Sequence, residues 1–125
     1  MKRLKIAYSD KALEIFGAIP SRETVNINDT DFTDVGAVVI TDTDTDVLKK
    51  EMIFAFTIPV LLIRTKEGPV ADDVISRVYR VIDLNETDHD FYSRQIESAA
   101  SHYEEKVLPP FFKDLETYVE NGYSQ

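Results

Sequence analysis

Asp42, Asp44 and Asp46 stand at alternate positions in a Thr-Asp-Thr-Asp-Thr-Asp run, the one-three-five spacing with which a calcium loop opens its ligand set. Such a loop needs glycine at its sixth position to turn sharply and glutamate at its twelfth to close round the ion. Those places hold Val47 and Ile53, so the run reads as a solvated turn and helix cap. Asp42 also suits a second chemistry, because the end of a central strand is where a phospho-receiver carries its phosphoacceptor. A receiver further needs an acidic pair after its first strand to hold magnesium, and a lysine after its last. Asp10 is a single acid in another register, and the last strand closes on Asp83-Leu84. The receiver's outline is present without its reaction.

The loop Tyr8-Ser9-Asp10-Lys11-Ala12 is equally unsuited to phosphate. A phosphate cradle uses backbone amides bared by glycine, and here an aspartate stands where the anion would sit. Gly17, Gly36, Gly68 and Gly122 are isolated from one another. His89 and His102 share one helical segment but lack the four-residue step that sets two imidazoles on one face for zinc. There is no Gly-x-Ser-x-Gly elbow and no cysteine, which excludes thiolate metal sites, disulfides and cysteine nucleophiles. No catalytic, metal-binding or cofactor-binding set is expected in the chain.

The elements that carry these residues alternate. Leu4-Lys5-Ile6-Ala7-Tyr8 reads as a first strand, Ser9 as the N-cap of a helix with Leu13 and Phe16 or Ile15 inward, and Gly17 as its end. Glu23–Ile27 is a modest strand near an edge, with Val25 and Ile27 inward. Asn28–Val35 has room for one or two helical turns anchored by Phe32 and Val35. Gly36 then marks a close approach or turn at the entrance to Ala37-Val38-Val39-Ile40, an unbroken β-branched run typical of a strand covered on both faces. A helix with Val47, Leu48, Glu51, Met52 and Ala55 at its spacing, capped by Thr45 or Asp44, leads to Pro59 and a second continuous strand, Val60–Ile63. A short helix over Ala71–Arg77 with Val74 and Val78 inward precedes a last strand, Val78–Asp83. The pattern predicts an α/β fold: a flavodoxin-like or receiver-like three-layer sandwich around a five-stranded parallel sheet, order 2-1-3-4-5 by analogy, with C-terminal linker helices. Thr87 is placed to cap a long helix, with Tyr92, Ile96, Ala99, Tyr103 and Val107 as its buried stripe.

At 125 residues the chain suffices for one domain with its own core. Its 23 acidic residues against 14 lysines and arginines give a formal charge of -9, which repels phosphate backbones and anionic lipid. Nucleic acid and membrane surfaces are not expected partners. The widest apolar stretch, Met52–Ile63, is interrupted by Thr57 and Pro59, and the basic start leads into a strand rather than a signal-peptide core. A cytoplasmic protein is expected. Beyond Pro109-Pro110 a second helix carries Phe111, Phe112, Leu115, Tyr118 and Val119, ended by Asn121-Gly122. This apolar face either packs back on its own sheet or meets something outside the chain.

The tail Tyr103–Gly122, with Leu108-Pro109-Pro110 between two helices, resembles the linker of the bacterial ornithine/lysine/arginine decarboxylases. Asp29–Ile40 resembles the ornithine-specific members. The resemblance implies a wing domain over 1–107 and the start of a linker over 108–125, leading to a pyridoxal phosphate core absent from this chain. It implies assembly as the role, packing dimers into larger rings, in a parent that decarboxylates ornithine to putrescine; the apolar face of Phe111, Phe112, Leu115, Tyr118 and Val119 is then the expected interface. The core domain and neighbouring subunits are the implied partners. No position here matches the family's cofactor residues, and the chain stops just short of a Pro-Gly-His stretch, as a fragment would. Some members respond to guanine nucleotides; Arg77, Arg80 or Arg94 would contribute to a site shared with the core. A stand-alone pseudo-receiver docking a signalling partner is the alternative.

Overall fold

The computed structural model describes residues 3–49, 53, 57–65, 70–84 and 88–107. Among them run β1 (Lys5–Tyr8), α1 (Asp10–Phe16), β2 (Thr24–Asn26), β3 (Val35–Thr41), a 3-10 turn (Thr45–Lys49), β4 (Val60–Arg64), α2 (Asp72–Ile75), β5 (Arg80–Asp83), α3 (His89–His102) and a π turn (Tyr103–Val107). The strands form one parallel sheet in the order β2-β1-β3-β4-β5. This is the expected architecture, with the two continuous apolar runs paired at its centre.

Alternation along the strands divides the core in two. Ile6, Tyr8, Ala37, Val39, Leu61, Ile63 and Ile82 face α1 and α3, meeting Ala12, Tyr92, Ile96, Ala99 and Ala100. Ala7, Val38, Ile40, Val60 and Leu62 form the other face, closed by Phe32, Leu48, Ile53 and Ile58, with Val74 and Val78 packed against it. Strands β3 and β4 read as unbroken apolar runs because neither face meets water.

Local signals hold at α1, where Ser9 Oγ accepts from the Ala12 amide at 3.2 Å and Gly17 ends the helix at φ 75° and ψ -174°. Gly36 is a close-approach position at a bulge. The register jumps there, Lys5 pairing with Val35 and Ile6 with Ala37, which turns Val35 to the opposite face from Ala37. A Cβ at Gly36 would stand 3.0 Å from Leu4 Cβ and 3.4 Å from Ala100 Cβ.

Four expectations need correction. Asn28–Asp34 makes turns rather than a helix: Thr30 Oγ1 accepts from the Phe32 amide and Asp31 from the Thr33 amide, local bonds that compete with helical ones. Its anchors Phe32 and Val35 are buried as expected. The segment after Asp44 opens as a 3-10 turn, and the Asp44 carboxylate turns back to the Thr41 amide at 2.6 Å. The cap of α3 is Asp88, accepting from the Phe91 amide at 2.7 Å, instead of Thr87. Finally, Tyr103 does not continue the stripe of Tyr92, Ile96 and Ala99; it enters the core on the other side of the sheet. The wider π turn shifts the phase of the helix where it passes the end of the strands.

Candidate functional site

In an open parallel sheet the natural crevice lies beyond the strand C-termini, where the order reverses between β1 and β3. A cleft of about 510 Å³ occupies that place, lined by Ser9, Asp10, Lys11, Glu14, Ile27, Asn28, Thr43, Asp44 and Asp46. Four carboxylates face one lysine. Lys11 Nζ is itself paired with Glu14 at 3.4 Å, and Asn26 Nδ2 donates to Asp10 at 2.5 Å. With Ser9 occupying an α1 amide and carboxylates around the mouth, the cleft repels anions.

The aspartates singled out by spacing are engaged separately. Asp42 accepts from the Thr65 amide at 3.1 Å and from its hydroxyl at 2.5 Å, tying the end of β3 to the end of β4. Asp44 accepts from the Thr41 amide and hydroxyl. Among the described residues no cluster of His, Cys, Asp or Glu is arranged to hold a metal ion. His89 and His102 lie exposed at opposite ends of α3, His89 beside Phe16 and Tyr92, His102 beside Tyr79.

Two buried phenols serve as pins. Tyr8 Oη accepts from the Ile19 amide at 2.9 Å, and burial pushes its pKa up to about 12. Tyr92 Oη donates to the Gly17 carbonyl at 3.3 Å while Phe16 stacks on its ring at 4.3 Å. Burial, and then the neighbouring Tyr8, push the Tyr92 phenol far above its ordinary value. Both stay neutral across the physiological range and hold the loop after α1, Tyr8 to the sheet and Tyr92 to α3.

At the opposite end lies a cluster with no signal in the sequence pattern. The Arg22 side chain is 1% exposed. Its guanidinium donates to Glu97, to Glu104, to Ser101 Oγ at 3.4 Å and to the Leu4 carbonyl at 3.0 Å. Glu104 also accepts from the Leu4 amide at 3.1 Å, and Arg3 pairs with Glu97. Burial pushes the Glu104 carboxyl up, but bonds from Arg22 and Leu4 and the charges of Arg22 and Arg3 together outweigh it, leaving the pKa below the ordinary value. An arginine between Ser21 and Glu23 reads as surface; only acceptors distant in sequence make it a core residue.

Residues 4–103 match the family model described as Orn/Lys/Arg decarboxylase, N-terminal domain. The chain belongs to this family. It is 46% identical over 123 residues to ornithine decarboxylase of Haemophilus influenzae, covering 98% of this chain and 17% of that protein. Inducible ornithine decarboxylases of Lactobacillus sp. (strain 30a) and Escherichia coli K12 are 38% and 37% identical over 98% and 99% of this chain. The chain spans 17% of the length of each of these relatives.

For a decarboxylase N-terminal domain the resemblance raises pyridoxal phosphate, and the cleft does not fit it. The cofactor needs a lysine amine for its aldehyde and donors for its phosphate. Lys11 is paired with Glu14, Lys5 with Asp34 and Glu23, and the cleft presents carboxylates to an anion. Arg77, Arg80 and Arg94 are exposed on the turn after α2, on β5 and on α3; Arg80 lies over the Tyr79 ring at 5.7 Å. The expected interface residues Phe111, Phe112, Leu115, Tyr118 and Val119 lie outside the described residues. Among the described residues no helix is long and apolar enough to cross a membrane.

Proposed function

We propose that this decarboxylase N-terminal domain is the assembly, or wing, domain of an ornithine decarboxylase, a pyridoxal phosphate enzyme converting L-ornithine to putrescine and carbon dioxide in the cytoplasm. The chemistry belongs to a core domain outside this chain. Residues 1–107 form the wing and 108–125 begin the linker, with Phe111, Phe112, Leu115, Tyr118 and Val119 as the contact face toward the core and neighbouring subunits. The observation that carries the reading is the match over 4–103 to the N-terminal domain of proteins several times longer, three of them named ornithine decarboxylase.

The test compares the full-length parent with a version lacking residues 1–125 by analytical ultracentrifugation and ornithine decarboxylation. Loss of a large ring to dimers is the expected result; a ring that survives the deletion overturns the assembly role. The 125-residue chain alone should leave the absorbance of added pyridoxal phosphate unchanged. A guanine nucleotide effector site shared between Arg77, Arg80 or Arg94 and the core is part of the same reading, and titration of the full-length parent with the nucleotide, against the three arginine-to-alanine variants, tests it.

A further inference from the structure

The continuous segment of α3 and the π turn begins on one side of the sheet and finishes on the other. Tyr92, Ile96, Ala99 and Ala100 pack with α1 against one core, whereas Tyr103 lies in the opposite core and Val107 packs against it. The crossing passes the N-terminal ends of the strands, where Ala100 approaches Gly36 and where Arg22 binds Glu97, Ser101 and Glu104. Those three residues fall on one stripe of the helix, and Glu104 is already inside the π turn. Leu4, the residue before β1, closes the circle: its carbonyl takes Arg22 and its amide is given to Glu104. A single buried guanidinium thus joins the loop before β2, the start of β1 and the last turns of the molecule's final described helix.

We propose that this Arg22 cluster is a latch that holds the π turn under the sheet and so sets the direction in which the chain leaves the domain, and that it opens as a unit separate from the sheet. The inner strands are covered on both faces, while the π turn is held by Tyr103, by the half-buried Val107 and by the latch, with Glu105 and Lys106 exposed. Segments of this kind exchange by local opening rather than by global unfolding. Glu97 and Glu104 sit at the margin, so a released helix end returns both carboxylates to water. What the latch orients rests on the assembly reading above; its existence does not.

Native-state hydrogen exchange on the 125-residue chain tests it. Arg22→Met keeps the apolar stem and removes the donors. Amides of Tyr103–Val107 should exchange at least about tenfold faster, as expected for losing hydrogen bonds between charged groups, while amides of β3 and β4 keep their rates. Glu104→Gln, which keeps the shape and removes one charge, should give a smaller acceleration confined to the same residues, and it covers the case in which Arg22→Met does not fold. Equal acceleration in β3, β4 and the π turn, or none in the π turn, overturns the latch. In the full-length parent the same Glu104→Gln change should loosen the ring in ultracentrifugation. A latch that opens in the chain beside an unchanged ring leaves the latch standing and removes only its role in assembly.

Discussion

Gly36→Ala places a methyl group where β3 enters the sheet, 3.0 Å from Leu4 Cβ and 3.4 Å from Ala100 Cβ. Carbon atoms rest at roughly 3.5–4.0 Å, so the first contact is short by at least half an ångström. Leu4 cannot yield cheaply. Its amide is bound to Glu104 at 3.1 Å and its carbonyl to Arg22 at 3.0 Å, so retreat stretches the buried cluster as well as β1. Overpacking of this kind costs about 1–3 kcal/mol. Replacing glycine in a compatible backbone returns about 0.4–1 kcal/mol by restricting the unfolded chain. Taking the middle of each range, the net loss should be about 1 kcal/mol, read as a lower urea midpoint with an unchanged slope and a melting temperature lower by a few degrees. Gly17→Ala is the informative control, because nothing lies within 4 Å of its would-be Cβ while φ is 75° and ψ is -174°. Its cost, about 1–3 kcal/mol, comes from backbone strain alone. If Gly36→Ala leaves the midpoint in place or raises it, the close approach is not what requires glycine there.

Further outcomes follow from the same contacts. Tyr8 titrates near 10.0 when unfolded and about 12 when folded, so its contribution is whole below pH 10 and disappears as pH rises through 12. Tyr92 shifts the same way, and Tyr8→Phe should flatten the alkaline fall in the urea midpoint. Glu104 is shifted oppositely: its contribution is present above its ordinary value of 4.5 and is lost as pH falls through the lower folded value, so Glu104→Gln should blunt acid destabilisation measured by circular dichroism. Asp42→Ala leaves the Thr65 amide and hydroxyl without that acceptor and should cost about 1–3 kcal/mol in urea, while acetyl phosphate should add no phosphate mass to the unaltered chain. In the full-length parent, Phe111→Asp with Tyr118→Asp should shift the ring toward dimers in sizing chromatography.

The parts of the fold visible in the amino-acid sequence are those governed by neighbours in the chain. Ala37–Ile40 and Val60–Ile63 read as covered strands; Ser9, Gly17 and Pro59 mark ends by backbone chemistry that needs no tertiary partner. Of the two roles open to Gly36, close approach or turn, the structure shows the first, and the bulge at its position depends on the register with β1. What stayed hidden was set at a distance. Arg22 is a surface residue by pattern and a core residue by its partners on α3 and the π turn. The stripe through Tyr103 assumed constant helical phase, and the π turn broke it as the helix rounded the sheet. At Asn28–Asp34 the short polar side chains bind local amides, which a count of residues per turn does not register.

Because every strand points the same way, the molecule has two poles. The acid-lined cleft opens at one, beyond Tyr8, Asn26 and Thr41; the guanidinium-bound crossing lies at the other, ahead of Lys5, Thr24 and Val35. Loops at the first pole can change in length or charge with the full span of the strands between them and the tether at the second. The domain therefore keeps its open cleft and its buried crossing at opposite poles, a separation fixed by strand polarity.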